Sequence, residues 1–197
     1  MTSEQPAKPP QQQMIWPQWR AAPSLPAIPP GYTLRTYQDG DTEPYVRLMR
    51  SAGFESWDES KAERVFATML PQGLFFVVHD RTQALVATAA AQGTPRLYHP
   101  NGLELGWVAA DPAERGKGLG YAVCAAVTCR LLDAHPATMY LLTDDSRLPA
   151  IAVYLKLGWI PFLYALDFAA RWRAVCARLG IEYEDIEMTT DPAGRRP

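Results

Sequence analysis

The stretch LELGWVAADPAERGKGLG, residues 103–120, decides the fold. Leu103, Leu105, Trp107 and Ala109 alternate with Glu104, Gly106, Val108 and Ala110, the pattern of a strand with two faces. Gly106 inside that strand marks a bulge or a close backbone approach. Asp111 and Pro112 then turn the chain, and Gly116, Gly118 and Gly120 open a helix. A strand, a glycine-rich turn and a helix start together make a cradle for phosphate. The first N–H groups of a helix have no partner within it, and the helix dipole favours an anion there. Glycine allows positive φ and a close approach, and Arg115 and Lys117 add positive charge at the same point.

Downstream, Leu119, Ala122, Val123, Ala126, Val127 and Leu131 recur at helical spacing as far as His135-Pro136. The apolar run 139–143 predicts a short central strand parallel to 103–110, which completes a βαβ unit. Leu148, Ile151, Ala152 and Leu155 predict a helix capped by Asp145 or Ser146 and stopped by Gly158. One more strand follows at 159–166, then an amphipathic helix carrying Phe168, Trp172, Val175, Cys176 and Leu179.

Upstream, Tyr32, Leu34 and Thr36 predict a first strand, with Asp41 or Thr42 capping the helix after it. Tyr45, Leu48 and Met49 mark that helix, and Ala62, Val65, Phe66 and Met69 a second one, stopped by Pro71 and Gly73. The aromatic loop Phe54-Glu55-Ser56-Trp57 joins them. Residues 74–79 and 84–91 predict a hairpin around 80–83. The expected class is α/β, a central mixed sheet of six to seven strands flanked by helices. It has a βαβ core and an extra C-terminal helix.

Residues 1–30 are rich in proline and glutamine, with Trp16 and Trp19 as the large anchors. Such a segment cannot bury enough to fold alone, so it is expected as a flexible tail or as an extended arm laid on the domain. One domain is expected over 31–188, and a polar tail over 189–197. The 197 residues suffice for one sizeable core. Net charge is −2 with no basic run, which argues against nucleic acid. No apolar run is long enough to span a membrane, and no apolar segment near the N-terminus reads as a signal peptide. Cys124, Cys129 and Cys176 lack redox or zinc spacing, and His79, His99 and His135 are scattered, so no metal is expected. Buried thiols in a reducing compartment place the chain in the cytoplasm.

The phosphate cradle fails two nucleotide tests. The Rossmann pattern asks for glycine at 121, where Tyr121 stands, and the P-loop asks for Ser or Thr after its lysine, where Gly118 stands. Instead, the run from Asp111 through Gly120 resembles motif A, V-x-P-x-x-R-G-x-G-x-G/A, of the GNAT superfamily of acyl-CoA-dependent N-acetyltransferases. Ala150-x-x-x-Tyr154-x-Lys156-x-Gly158-Trp159 is similar to its motif B. The order of elements matches as well, and the resemblance covers 31–164.

The resemblance implies acetyl-CoA as co-substrate. Its pyrophosphate would lie on the N–H groups of Arg115, Gly116, Lys117, Gly118, Leu119 and Gly120. Its pantetheine arm would pair with Val108, Ala109 and Ala110, where the strands at 103–110 and 139–143 splay apart. Tyr154 is the implied proton donor to the departing thiolate, or it packs and orients the sulfur. Glu104 is the implied base, or a solvated strand residue. Asp144 and Asp145 compete for that role, with helix capping as their alternative. The N–H of Val108 would meet the developing oxyanion. Phe54, Trp57 and Trp107 would line the acceptor pocket or pack in the core.

Two departures stand out. Arg147 occupies the position where the family places a coenzyme-contacting Asn, and Ala110 the position of the motif A valine. After its sixth strand the family returns a seventh, where this chain predicts a helix. The expected activity is direct acetyl transfer to a primary amine of a small molecule or peptide. The alternative is a CoA-binding module without catalysis. The acceptor and the oligomeric state, including a homodimer, stay open.

Overall fold

The computed structural model describes residues 9–195. In chain order the strands are β1 (Gln12–Ile15), β2 (Tyr32–Thr36), β3 (Met69–His79), β4 (Leu85–Gln92), β5 (Leu103–Ala110), β6 (Met139–Thr143) and β7 (Ile160–Phe162). The helices are α1 (Thr42–Ser51), α2 (Glu59–Thr68), α3 (Leu119–Asp133), α4 (Leu148–Leu157) and α5 (Phe168–Leu179). Seven strands form one mixed sheet in the order β2-β3-β4-β5-β6-β1-β7. Only β5 and β6 pair in parallel, because α3 crosses between them.

Helices cover both faces. On one, Val123, Val127 and Leu131 of α3 and Ile151 of α4 pack on Leu105 and Leu141, with Trp172 of α5 alongside. On the other, Tyr45 and Met49 of α1 and Val65 of α2 pack on Phe76 and Ala90. Each large apolar side chain buried this way contributes roughly 1.5–3 kcal/mol. All eight residues of β4 are buried between these layers, the polar Thr88 and Gln92 included.

The expected domain start at residue 31 is corrected by β1. Gln12, Gln13, Met14 and Ile15 pair antiparallel with β6 on one side, and the last three with β7 on the other. The arm is therefore extended and lies inside the sheet. It also supplies the seventh strand that the resemblance places after the sixth. Trp16 continues it into the core, 5.6 Å from Trp159 in edge-to-face contact. The described part of the expected tail is tied down too. Thr189 N–H donates to the Pro161 carbonyl at 3.0 Å, and Gln18 N–H to that of Gly194 at 3.0 Å.

The strand expected at 74–79 begins earlier, at Met69. Helix α2 ends at Thr68, so Pro71 and Gly73 lie beyond it, within a shifted register between Met69 and Leu74. Asp58 caps α2 by accepting from Lys61 N–H at 2.8 Å, whereas the Asp41 carboxylate at the start of α1 is taken by Arg35 instead.

Candidate active site

Strands β5 and β6 are paired only at Leu103–Met139, Glu104–Tyr140 and Leu105–Leu141. Beyond Leu105 the edge of β5 that faces β6 has no strand beside it, although it lies in the middle of the sheet. On its other edge β5 bulges against β4: Ala90 faces Gly106 and Thr88 faces Ala109, so Trp107 and Val108 together oppose Ala89. Trp107 sits at φ 53°, a left-handed conformation that costs a bulky residue about 1–3 kcal/mol. Its ring offsets this by packing edge-to-face on Trp57, with centroids 4.6 Å apart, and by donating its indole N–H to Gln92 Oε1 at 3.0 Å. Gly106 has no Cβ, which leaves room for Gln92 Nε2 at 2.6 Å from where a Cβ would stand.

The bulge corrects the expected alternation of this strand. One extra residue reverses the parity of everything after it. Leu103, Leu105, Val108 and Ala110 pack on the α3 side, while Trp107 and Ala109 pack with α1 and α2. Val108 and Trp107 both reach the open end of the strands.

The glycine turn leads into α3. Gly116 and Gly118 have φ of 80° and 77°, which only glycine adopts without strain, and nothing lies within 4 Å of where a Cβ would point. The N–H groups of Gly116, Gly118, Leu119 and Gly120 have no backbone partner among the described residues. Arg115 is exposed. Lys117 is held by Glu114 at 2.5 Å and by the Tyr32 hydroxyl at 2.7 Å, so its ammonium must leave these partners to meet an anion at the turn. Glu114 in turn is held below the usual carboxylate range by Lys117 and by the Tyr32 hydrogen bond.

A cleft of about 480 Å³ opens at the splay, and its walls include Glu104, Trp107, Val108, Thr143, Arg147 and Tyr154. Tyr154 is buried, and burial pushes its phenol well above the ordinary range, with Cys124 raising it further and Arg147 opposing. It stays protonated until a strong base forms beside it. Glu104 is also buried. The Thr94 hydroxyl donates to its Oε2, the Tyr140 hydroxyl lies 3.1 Å from the same atom, and Arg96 Nη2 lies 3.8 Å away. Burial, with smaller help from the Glu104 charge, lifts Tyr140 to about 12, so it stays protonated, with the Thr94 carbonyl as its nearer acceptor and that carboxylate beside it. Arg147 lies against Asp144 at 3.5 Å and over the Phe54 ring at 4.8 Å.

The other carboxylates go elsewhere. Asp145 does not cap α4, whose N-cap position is Arg147 without a side-chain bond. It receives two hydrogen bonds from Arg171 of α5, at 2.8 and 3.0 Å, which hold it below the usual carboxylate range. Neither Asp144 nor Asp145 lines the cleft, and none of the cysteines does. Phe54 and Trp107 line it, whereas Trp57 packs in the core against Tyr45. Among the described residues no group of His, Cys, Asp and Glu could hold a metal ion, and no helix is long and apolar enough to cross a membrane.

Residues 37–159 match the model of the "Acetyltransferase (GNAT) family". The chain belongs to that family of acyltransferases. It is 30% identical over 167 residues to a mycothiol acetyltransferase of Rhodococcus erythropolis, covering 75% of this chain and 54% of the relative. It is 27% identical over 161 residues to a mycothiol acetyltransferase of Segniliparus rotundus, covering 77% and 60%. The chain thus spans little more than half the length of these curated relatives. Among solved structures, a GNAT-family protein of Novosphingobium aromaticivorans superposes with a TM-score of 0.58 at 24% identity. That match covers 77% of this chain and 59% of the other, a likeness of fold.

Within this GNAT fold, the sequence reading missed the residues that surround Glu104. Tyr140 is its register partner across the ladder from β5 to β6, and Thr94 and Arg96 come from the loop before β5. His99 stacks on Tyr140 at 4.4 Å and nearly parallel, with Nε2 3.1 Å from Gln13 Oε1 of β1. Burial lowers that imidazole to about 4. Tyr140 lies in the run 139–143 that the sequence reads as a strand, but its register against Glu104 is set only by the pairing of β5 with β6. Nothing in the sequence pointed to Gln13.

Proposed function

We propose that the protein is an N-acetyltransferase that moves the acetyl group of acetyl-CoA directly to a primary amine. One observation carries this reading: Tyr154 and Glu104 line a single cleft where β5 and β6 part. Three others support acyl-CoA as donor. The N–H groups of Gly116, Gly118, Leu119 and Gly120 have no backbone partner among the described residues, a Cβ at Gly116 or Gly118 would point into open space, and the buried Thr143 hydroxyl on the cleft wall has no partner. Both curated relatives are named acetyltransferases, which supports acetyl as the group moved.

In this reading, residues 115–120 bind the pyrophosphate, with Arg115 and Lys117 as countercharges. The open edge at Val108, Ala109 and Ala110 binds the pantetheine arm as an added strand would. Arg147 reaches the coenzyme in place of an amide. Glu104 takes a proton from the acceptor amine, directly or through a water. The Val108 N–H donates to the thioester oxygen as negative charge grows on it. Tyr154 gives its proton to the departing thiolate. No cysteine side chain is placed to carry the acyl group, which supports transfer in one step.

Two measurements test this reading. CoA at ~100 times its Kd raises stability by about 2.7 kcal/mol, read as a thermal shift; no shift at saturating CoA overturns the proposal. Gly118→Val places a Cβ in the cradle and a β-branched residue in the left-handed region. It costs about 1–2 kcal/mol of stability without ligand and weakens CoA binding at least tenfold by calorimetry. Thiol release from acetyl-CoA across a panel of amines then reads the chemistry. CoA binding with no release for any amine favours the module without catalysis.

A further inference from the structure

The cleft is positive in a chain whose formal charge is −2. Among the described residues, Lys61, Arg64, Arg96 and Arg147 line it, against Glu104 as the one carboxylate. Arg96 and Arg147 each have a carboxylate within 4 Å, Glu104 and Asp144 respectively. The two cations of α2 do not, among the described residues. Lys61 Nζ donates to the Ser56 carbonyl and, at 2.6 Å, to the Ser56 hydroxyl. Arg64 Nη1 donates to the Ser60 hydroxyl at 2.8 Å. Both line the cleft, whereas Asp58, Glu59 and Glu63 at the same end of α2 do not.

The coenzyme phosphates do not account for these two. The glycine turn opens α3, which packs on one face of the sheet, while α2 packs on the other with Tyr45, Trp57 and Ala90. The cleft passes between the faces at the splay. The α2 wall therefore lies on the sheet face opposite the glycine turn, and Glu104 lines the same cleft.

We infer that the acceptor is an amine that carries an anionic group, a carboxylate or a phosphate, held by Arg64 and Lys61 while its amine lies at Glu104. The inference rests on the acetyltransferase reading above. The charge pattern suits a molecule with one positive and one negative end. It disfavours polycationic acceptors, which would meet four cations for one carboxylate. Arg64 offers a planar fork for either acid, and Lys61 a point charge beside it.

Three conjugates test this without turnover. CoA is joined through a thioether acetyl to glycine, to aminomethylphosphonate, or to glycinamide, and each is titrated by calorimetry against the full chain. The coenzyme half anchors all three, and only the distal group differs. The expected result is that at least one acid conjugate binds about tenfold tighter than the amide, as a charge-assisted hydrogen bond provides. The glycine and phosphonate arms tell carboxylate from phosphate. In Arg64→Ala, and to a lesser degree in Lys61→Ala, the acid conjugates fall to the affinity of the amide. Arg64 is an exposed position of α2, and retained binding of plain CoA reports that the variant is folded. Equal affinity of all three conjugates, with CoA itself bound, overturns this inference alone. Failure of CoA and every conjugate to bind overturns it together with the reading on which it rests.

Discussion

Tyr154→Phe lowers kcat for acetyl transfer by about a hundredfold or more, the scale of a lost general acid, while CoA binds as before. The argument begins with α4. Ile151 and Leu157 bury the inner stripe of this helix, and Gly158 ends it with φ 113°, so Tyr154 is fixed at the cleft. Phenylalanine keeps the ring and the packing, and removes only the hydroxyl. Burial pushes the phenol up, which on its face weakens the acid. The thiolate that leaves next to it is desolvated by the same walls, and its proton affinity rises with that of the phenol. The transfer therefore stays feasible. A steady-state assay with retained CoA affinity checks the result. An unchanged kcat would reduce Tyr154 to a packing residue.

Removal of residues 1–15 abolishes cooperative thermal unfolding, the largest stability effect expected of any change in this chain. Strand β1 is bonded to β6 on one edge and to β7 on the other. Its loss strands the backbone groups of both neighbours, removes buried Met14 and Ile15, and uncovers the side chains packed on them. Unpaired buried backbone groups cost about 1–3 kcal/mol each, so the sum exceeds the usual stability of a domain, ~5–15 kcal/mol. A milder version keeps the strand: Trp16→Ala removes a ring packed on Trp159 and costs about 3–5 kcal/mol. Circular dichroism on heating reads both. A truncated chain that melts cooperatively near the intact one's midpoint would contradict the place given to β1.

The same two cases show why parts of this protein were legible and others not. The strands 103–110 and 139–143 and the helix 168–179 follow from apolar spacing, which is local. The glycine turn follows from three glycines within five residues, Gly116 to Gly120, which is also local. Strand β1 carries only Met14 and Ile15 as apolar residues amid glutamines and prolines. Its partners, Leu141 and Ile160 among them, lie more than a hundred positions away, so no window of sequence contains the reason it is a strand. The bulge at Trp107 escaped because alternation assumes an unbroken ladder, and a single left-handed residue undoes it. Tyr154 and Glu104 could be named from their motifs and strand. What surrounds Glu104, namely Thr94, Tyr140 and Arg96, is assembled by pairing and by a loop. The charge of the α2 wall is assembled in the same way.

The most direct test of the whole account is amide hydrogen exchange with and without CoA. If the coenzyme lies along the open edge of β5 and on the turn before α3, protection rises at residues 108–110, beside the edge of β5 that no strand covers, and at residues 115–120. Protection confined to other segments, or no change at saturating CoA, would contradict the central claim that the splay between β5 and β6 is the acyl-CoA site.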